Sequence, residues 1–251
     1  SEMCIRDRSN TTVSGNSAII IEDPGESDCE DGIDNDGDGN TDEDDYECYN
    51  GDGGAIAEKG SDVNTITIVN STISNNTAGD SAGAIYITAA STYNLSSVTI
   101  AENTAQNSVG GIYVPSGATV NMRNTVLAEN TDTDNNPNCF GAINSNDYNF
   151  VGDEMGCTFS ASDHDLVGDS NDETVGVLDP KLKSLANNGA TGKTHGLEQD
   201  SPLIDAGTPS GCTDGSSTLA TDQEGASRSM DGDFDGTEAV SYTHLTLPTS
   251  P

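Results

Sequence analysis

The chain has 251 residues, with 8 Lys and Arg against 43 Asp and Glu, and a formal net charge of -35. That acidity excludes nucleic acid and anionic membrane as partners, since both are bound through basic patches. Hydrophobic residues make up only 32% and Trp is absent, which is too little for a thick globular core but enough for a thin repeated one.

Residues 1–8 (SEMCIRDR) and 241–251 (SYTHLTLPTSP) resemble translated sequencing-adapter tails of metagenomic assemblies and are set apart from the fold. The chain between them is expected to be an internal piece of a longer protein. It shows no transmembrane run and no signal peptide.

Residues 9–21 read as a first coil. The heptapeptide from Asn10 to Asn16 returns at Asn70 to Asn76, 60 residues later. The regular coils span residues 53–138, and from Ile66 to Thr131 the period is 27 residues. Ile66, Tyr93 and Val120 share one column, Ile68, Leu95 and Met122 a second, and Ile73, Ile100 and Leu127 a third. The polar punctuation keeps step in Asn76, Asn103 and Asn130, and in Asn70, Ser97 and Asn124. Each period holds short alternating, β-branched segments separated by Gly, Asn and Ser, which reads as strands and not helices. A fixed period of this kind predicts an all-β, right-handed, single-stranded parallel β-helix of about 27 residues per coil. The Asn columns are expected at turns, where Asn tolerates the left-handed region and amides bond along the stack.

The segments Gly53-Gly54-Ala55-Ile56 and Asn70-Ser71-Thr72-Ile73-Ser74-Asn75-Asn76-Thr77-Ala78 resemble the polymorphic outer-membrane-protein-type β-helix repeats of bacterial surface proteins. The resemblance implies a secreted or surface-displayed solenoid.

Residues 22–52 interrupt the first coil with about 33 extra residues, at the turn occupied later by Thr77–Ala82. Asp34, Asp36, Asp38, Asp42 and Asp45 stand at positions 1, 3, 5, 9 and 12 of a calcium loop, with Gly39 at position 6. Alternate Asp side chains converge on one ion, Gly39 permits the sharp turn, and the Asn40 carbonyl supplies position 7. Asp45 is shorter than the Glu of an EF-hand, which weakens bidentate ligation there. The spacing resembles thrombospondin type 3 calcium repeats. Asp231, Asp233 and Asp235 repeat the first half of such a loop as a weaker second site. The expected cofactor is Ca2+.

Cys29 and Cys48 bracket the calcium loop, and Cys139 and Cys157 bracket a later one. Local pairs flanking loops read as disulfides of an oxidising compartment. No Cys-x-x-Cys or close His spacing supports zinc. Cys4 falls in the tail and Cys212 is left without an assigned partner.

Residues 139–240 form an irregular C-terminal region in which the period decays. The ordered motifs Asp179-Pro180, Asn187-Asn188-Gly189, Thr194-His195, Ser201-Pro202-Leu203-Ile204-Asp205-Ala206-Gly207 and Thr221-Asp222-Gln223 resemble the choice-of-anchor Q type C-terminal region of bacterial secreted proteins. This resemblance implies a variable anchor and no defined reaction. It also implies a closing strand beyond Val240, whose cysteine would pair with Cys212.

Parallel β-helices host lyases and hydrolases. A lyase needs a base, for which Lys59, Arg123, Lys181, Lys183, Lys193 and Arg228 are candidates, and Arg123 alone lies in the regular coils. A hydrolase needs two carboxylates across a cleft. The coils from Asn64 to Thr131 carry only Asp80, Glu102 and Glu129, with Glu102 and Glu129 expected on adjacent coils as an outward, solvated ladder. His164 and His195 are expected in a loop and a turn. No catalytic residue is assigned. The expectation is a structural or adhesive β-helix, extracellular or on an outer-membrane surface, stabilised by calcium and monomeric. Its partner is a polysaccharide or another cell-surface ligand, with no nucleic acid and no direct membrane insertion. The alternative is a carbohydrate-binding or carbohydrate-cleaving β-helix whose active coils lie outside this stretch.

Overall fold

The computed structural model describes residues 7–9, 11–18, 51–58, 63–189, 192–208, 212–213, 217–225, 229–230 and 239–240. It is a stack of parallel strands, with no helix among the described residues. The strands are β1 (Asp7–Ser9), β2 (Thr12–Ser14), β3 (Ser17–Ala18), β4 (Ile56–Ala57), β5 (Thr65–Ser74), β6 (Thr77–Ala78), β7 (Ile85–Tyr86), β8 (Thr92–Ala101), β9 (Thr104–Ala105) and β10 (Ile112–Tyr113). They continue as β11 (Thr119–Arg123), β12 (Val126–Ala128), β13 (Cys139–Ser145), β14 (Phe150–Val151), β15 (Cys157–Ser160) and β16 (Leu166–Val167). Short pairs β17 (Cys212–Thr213) with β18 (Thr218–Leu219), and β19 (Ser229–Met230) with β20 (Ala239–Val240), are antiparallel.

The expected register holds residue by residue. β5 pairs with β8 through Ile66↔Tyr93, Ile68↔Leu95 and Ile73↔Ile100, and the next coil adds Val120, Met122 and Leu127. These side chains line the interior with Ile85, Ile112, Val98 and Ile143. Asp7 and Arg8, set apart with the tail in the sequence, pair with Thr67 and Ile68 of β5.

Alternation along β5 changes phase halfway. Ile66 and Ile68 point inward, then Ile73 does, because Asn70 sits between them at φ 53°. Ser97 (φ 56°) and Asn124 (φ 48°) do the same one and two coils later. A single left-handed residue re-aims the strand, and short polar side chains enter that region at least cost. Further left-handed corners follow at Asn75, Glu102 and Glu129, and at Ala82 and Val109. The Asn76 column has the other expected property. Asn76 Nδ2 donates to Asn103 Oδ1 (2.8 Å), Asn103 Nδ2 to Asn130 Oδ1 (2.9 Å), and Asn16 Nδ2 to Asn76 Oδ1 (2.9 Å). Left-handed backbone and amide stacking, expected together, thus fall on separate columns.

The Gly column explains the second repeated motif. A Cβ on Gly54 would strike the Gly83 carbonyl, and one on Gly83 the Gly110 carbonyl and the Thr104 backbone. Only hydrogen fits where one coil's backbone crosses the next this closely.

Entry to and exit from the acidic insertion lie at one corner. Ser17↔Thr77 is a step of 60 residues and Ile56↔Ile85 a step of 29, so 31 residues are extra at that corner. Two more fall between Ala57 and Thr65, since Thr65↔Thr92 is a step of 27 (29 − 27 = 2). Beyond β12 the coils shorten: Val120↔Ile143 is a step of 23 and Phe150↔Leu166 of 16. Asn138 takes the last rung of the amide ladder in place of a further coil, accepting from Asn130 Nδ2 at 3.1 Å.

Replacing Ile100 with Asp should unfold the solenoid, at a cost of at least about 4 kcal/mol, because an unpaired charge would face Ile73 and Leu127. Asn103→Ala should cost about 3 kcal/mol by orphaning its buried partners. Urea denaturation of each variant measures both; unchanged midpoints would show the register to be wrong.

Candidate functional site: two open faces and a strapped face

The outer face of β5, β8, β11 and β13 carries the column Thr67, Asn94, Asn121 and Asn144. Asn121 Nδ2 donates to Asn94 Oδ1 at 2.9 Å, and Asn144 Nδ2 to Asn121 Oδ1 at 3.2 Å. Asn94 and Asn121 are half-buried and Asn144 is exposed. Each amide keeps a second N–H and a lone pair for an outside ligand. Arg123 borders this column and makes no ion pair among the described residues.

A second face, on β7, β10 and β13, carries stacked rings. Tyr86 and Tyr113 lie 5.1 Å apart between centroids, and Tyr113 and Phe140 lie 5.4 Å apart, with interplanar angles of 25° and 7°. Outward positions one coil apart place rings at stacking distance without further design. Phe140 is 42% exposed. The rings turn their faces to one another and their edges to solvent.

The third face is covered. The described residues between 178 and 225 double back along the solenoid as a strap. Leu197 and Leu203 pack on Val126, Ala128 and Phe150, which point outward from the coils. Polar ties follow coil by coil. Asn124 Nδ2 donates to Cys212 Sγ (3.1 Å), Ser96 Oγ donates to the Thr213 carbonyl, and Asn70 Nδ2 donates to the Thr221 carbonyl (3.1 Å). The Gln223 carboxamide accepts from Thr72 Oγ1 (3.0 Å) and donates to Thr12 Oγ1 (2.8 Å), which donates on to the Lys193 carbonyl (2.7 Å).

His195, expected in a turn, is fully buried under this strap. Its Nε2 lies 2.8 Å from Ser74 Oγ and its Nδ1 lies 2.7 Å from the Lys183 carbonyl. The pair has the geometry of a nucleophile and its base. Both residues are sealed from solvent, however, so the contact fastens the strap and no substrate reaches it. His164 is at the surface as expected. Its Nδ1 is 2.9 Å from Asp147 Oδ2, and its ring stacks on Tyr148 at 4.5 Å. Burial pushes the Asp147 carboxyl up, but hydrogen bonds from His164 and from the Tyr148 backbone outweigh it and hold the carboxyl below the ordinary range.

Glu102 and Glu129 do lie on adjacent coils, at matching left-handed corners. Glu129 is exposed and Glu102 partly so, as the outward ladder requires, and Glu102 Oε2 lies 3.9 Å from His195 Nε2 of the strap. Among the basic candidates, Lys181 pairs with Asp200, and the carbonyls of Lys183 and Lys193 accept hydrogen bonds. Lys59 and Arg228 lie outside the described residues, as do the expected calcium ligands Asp34, Asp36, Asp38, Asn40, Asp42 and Asp45. Cys29, Cys48, Asp231, Asp233 and Asp235 lie outside them too. Among the described residues no group of three or more His, Cys, Asp or Glu is arranged to hold a metal ion.

Cys139 and Cys157 form a disulfide across 18 residues, with Cα atoms 5.3 Å apart, tying β13 to β15. Sequence reasoning missed the binding partners of Ser74, Thr72 and Thr12. The Thr194-His195 and Thr221-Asp222-Gln223 motifs marked the strap residues, but nothing in their spacing marked the coil they meet.

Residues 70–88 match the Chlamydia polymorphic membrane protein (Chlamydia_PMP) repeat. The matched stretch runs from the left-handed corner at Asn70 through the Asn76 rung and the Gly83 crossing to β7. No curated protein and no solved structure matches the chain.

Reducing the disulfide, or Cys139→Ser, should cost about 3 kcal/mol through the unfolded state. Gln223→Ala should cost about 2 kcal/mol by leaving the buried Thr72 hydroxyl unpaired. Denaturant midpoints of both variants, with non-reducing peptide maps for the disulfide, are the measurement.

Proposed function

We propose that this chain is part of a surface-displayed adhesive β-helix, held rigid by calcium and presenting its two open faces to a polysaccharide or another cell-surface ligand. The repeat match at residues 70–88 carries the surface assignment, because it covers the corner, rung and crossing that define a coil. Adhesion fits a molecule whose outer columns are uncharged amides, hydroxyls and rings on an otherwise acidic chain. No helix among the described residues is long and apolar enough to cross a membrane. The outward amide ladder also favours a carbohydrate-binding reading, since unspent amide donors and acceptors repeat along it at the coil spacing. A carbohydrate-cleaving form requires catalytic coils outside this stretch.

Calcium enters through residues 22–52, with Asp34, Asp36, Asp38, Asn40, Asp42 and Asp45 as ligands. Fourteen acidic residues lie between Glu22 and Glu47, so without a cation the segment repels itself. The coils on either side of the segment stay in register. The Gly51 carbonyl accepts from Gly79 N (2.9 Å), and Asp52 Oδ1 accepts from Ser81 N (3.0 Å), beside the β3–β6 pair. The loop thus begins and ends on one corner.

Calorimetric titration should give a calcium isotherm with a dissociation constant of about 10⁻⁴ to 10⁻³ M. Asp36→Ala and Asp38→Ala should abolish it, and magnesium should bind more weakly because it demands a tighter octahedron. A hundredfold excess of calcium over that constant should add about 2.7 kcal/mol to the unit that folds with the loop. Absence of heat would remove calcium from the assignment. On a glycan array, loss of signal in Asn121→Ala is expected for the open-face reading; unchanged signal would move the ligand elsewhere.

A further inference from the structure

The outer face of the coils carries a second column beside its amides. Two residues ahead of each column member stand Thr65, Thr92 and Thr119, aligned from coil to coil. β15 extends both columns with Thr158 and Ser160, in register with Ala142 and Asn144. The residues between them, such as Tyr93, Val120 and Ile143, belong to the core, so both columns share the outer side. Thr65, Thr158 and Ser160 are exposed, and Thr92 and Thr119 are half-buried. None of these hydroxyls is spent on another group among the described residues. Only Ala142 leaves a position without a polar group. From β5 to β15 the two columns hold no charged residue, on a chain with a net charge of -35. Asp7 of β1 aligns with Thr67 at the N-terminal end, and Arg123 stands beside the amides. The two borders differ. Ahead of the Thr column the chain is small or apolar, with Val63 (69% exposed), Ala90 and Gly117. Beyond the amide column runs the strap, where Ser96 Oγ donates to the Thr213 carbonyl.

We propose that this two-column face takes a neutral, extended, β-linked polysaccharide chain lying along the stack, which rests on the carbohydrate-binding reading and adds the class of glycan and its direction. Coils repeat at about 4.8 Å, and the two columns lie about 6.6 Å apart, two residues of about 3.3 Å along each strand. A β-1,4-linked hexose is about as long as the step between coils. A chain laid along the stack therefore meets a fresh pair of polar groups with each sugar. A chain laid across the coils meets one pair and leaves the face. Hydroxyls both donate and accept, and each amide keeps a second N–H and a lone pair, which matches sugar hydroxyls that also do both. The small and apolar border leaves room for the C–H faces of the rings. Nothing on the floor pairs a uronate or a sulfate, and the acidity of the surrounding chain repels a polyanion. Arg123 is a single cation at the edge and does not repeat with the coils. An α-1,4-linked glucan coils, and it cannot follow a row that continues across successive strands.

Calorimetric titration of the whole chain with defined oligosaccharides tests this. The probes are β-1,4-linked gluco- and manno-oligosaccharides from disaccharide to octasaccharide, with α-1,4-linked glucose oligomers and uronic-acid oligomers of the same lengths beside them. The β-linked neutral series should bind about fivefold tighter with each added sugar, levelling off at about five sugars, one for each of β5, β8, β11, β13 and β15. Thr92→Val keeps the side-chain shape at an outward position and removes the hydroxyl. It should weaken the pentasaccharide about fivefold, and added salt should leave the affinity unchanged. Binding that ignores chain length, or that favours the uronic-acid or α-linked oligomers, overturns the neutral extended chain. If Asn121→Ala abolishes that binding, the open-face reading stands without it. Equal binding by wild type, Thr92→Val and Asn121→Ala overturns both, and so does the absence of heat with every oligomer.

Discussion

The buried asparagine ladder is the constraint from which the rest of the solenoid follows. Each rung from Asn76 to Asn130 uses its carbonyl twice, for the amide and the backbone N–H of the preceding rung. Its Nδ2 also reaches backbone carbonyls on its own coil and the one before: Ile73 and Ala101 for Asn103, Ile100 and Ala128 for Asn130. A slip of one residue would orphan this whole column at about 1–3 kcal/mol per group. Apolar columns tolerate sliding far better, because burial has no direction. Ile73, Ile100 and Leu127 therefore share a level because Asn76, Asn103 and Asn130 do.

A solenoid this thin has little apolar surface to bury, and the strap adds a second layer. Val126, Ala128 and Phe150 stand on the outward side of their strands, where alternation would place them in water. Leu197 and Leu203 cover them. The polar ties run from Asn124 through Ser96 to Asn70, Thr72 and Thr12, so one segment links successive coils. Coils that otherwise touch only their neighbours become coupled over distance, which raises the cooperativity of an array that nearest-neighbour contacts alone would leave loose.

The excess of acid is accommodated locally. Asp132 accepts from the N–H groups of Val109 and Asn136, Asp165 from those of Asn149 and Ser162, and Asp153 from those of Met155 and Ser170. A carboxylate that receives turn N–H groups replaces missing ladder partners and has its charge satisfied where it sits, even at Asp153, which is buried. Glu129 has no such donor, and partial burial first, then the charge of nearby carboxylates, raise its carboxyl above the ordinary range. The same shortage of cations at the acidic insertion is what makes a bound metal ion a physical expectation there.

The sequence determined by itself whatever repeats. A 27-residue period names the stacked columns, the inward residues and the Gly crossings, because every coil solves one steric problem with one residue type. The Cys139–Cys157 bond was legible for a related reason: it is local. The strap was not legible. Its contacts join His195 to Ser74 and Gln223 to Thr72 and Thr12, separations of 121, 151 and 211 residues that no period links. Burial of His195, its approach to Glu102 and the second apolar layer were decided only when the chain doubled back along its own stack. Each depends on which face that return path covers, and the pattern of a single coil carries no information about the path.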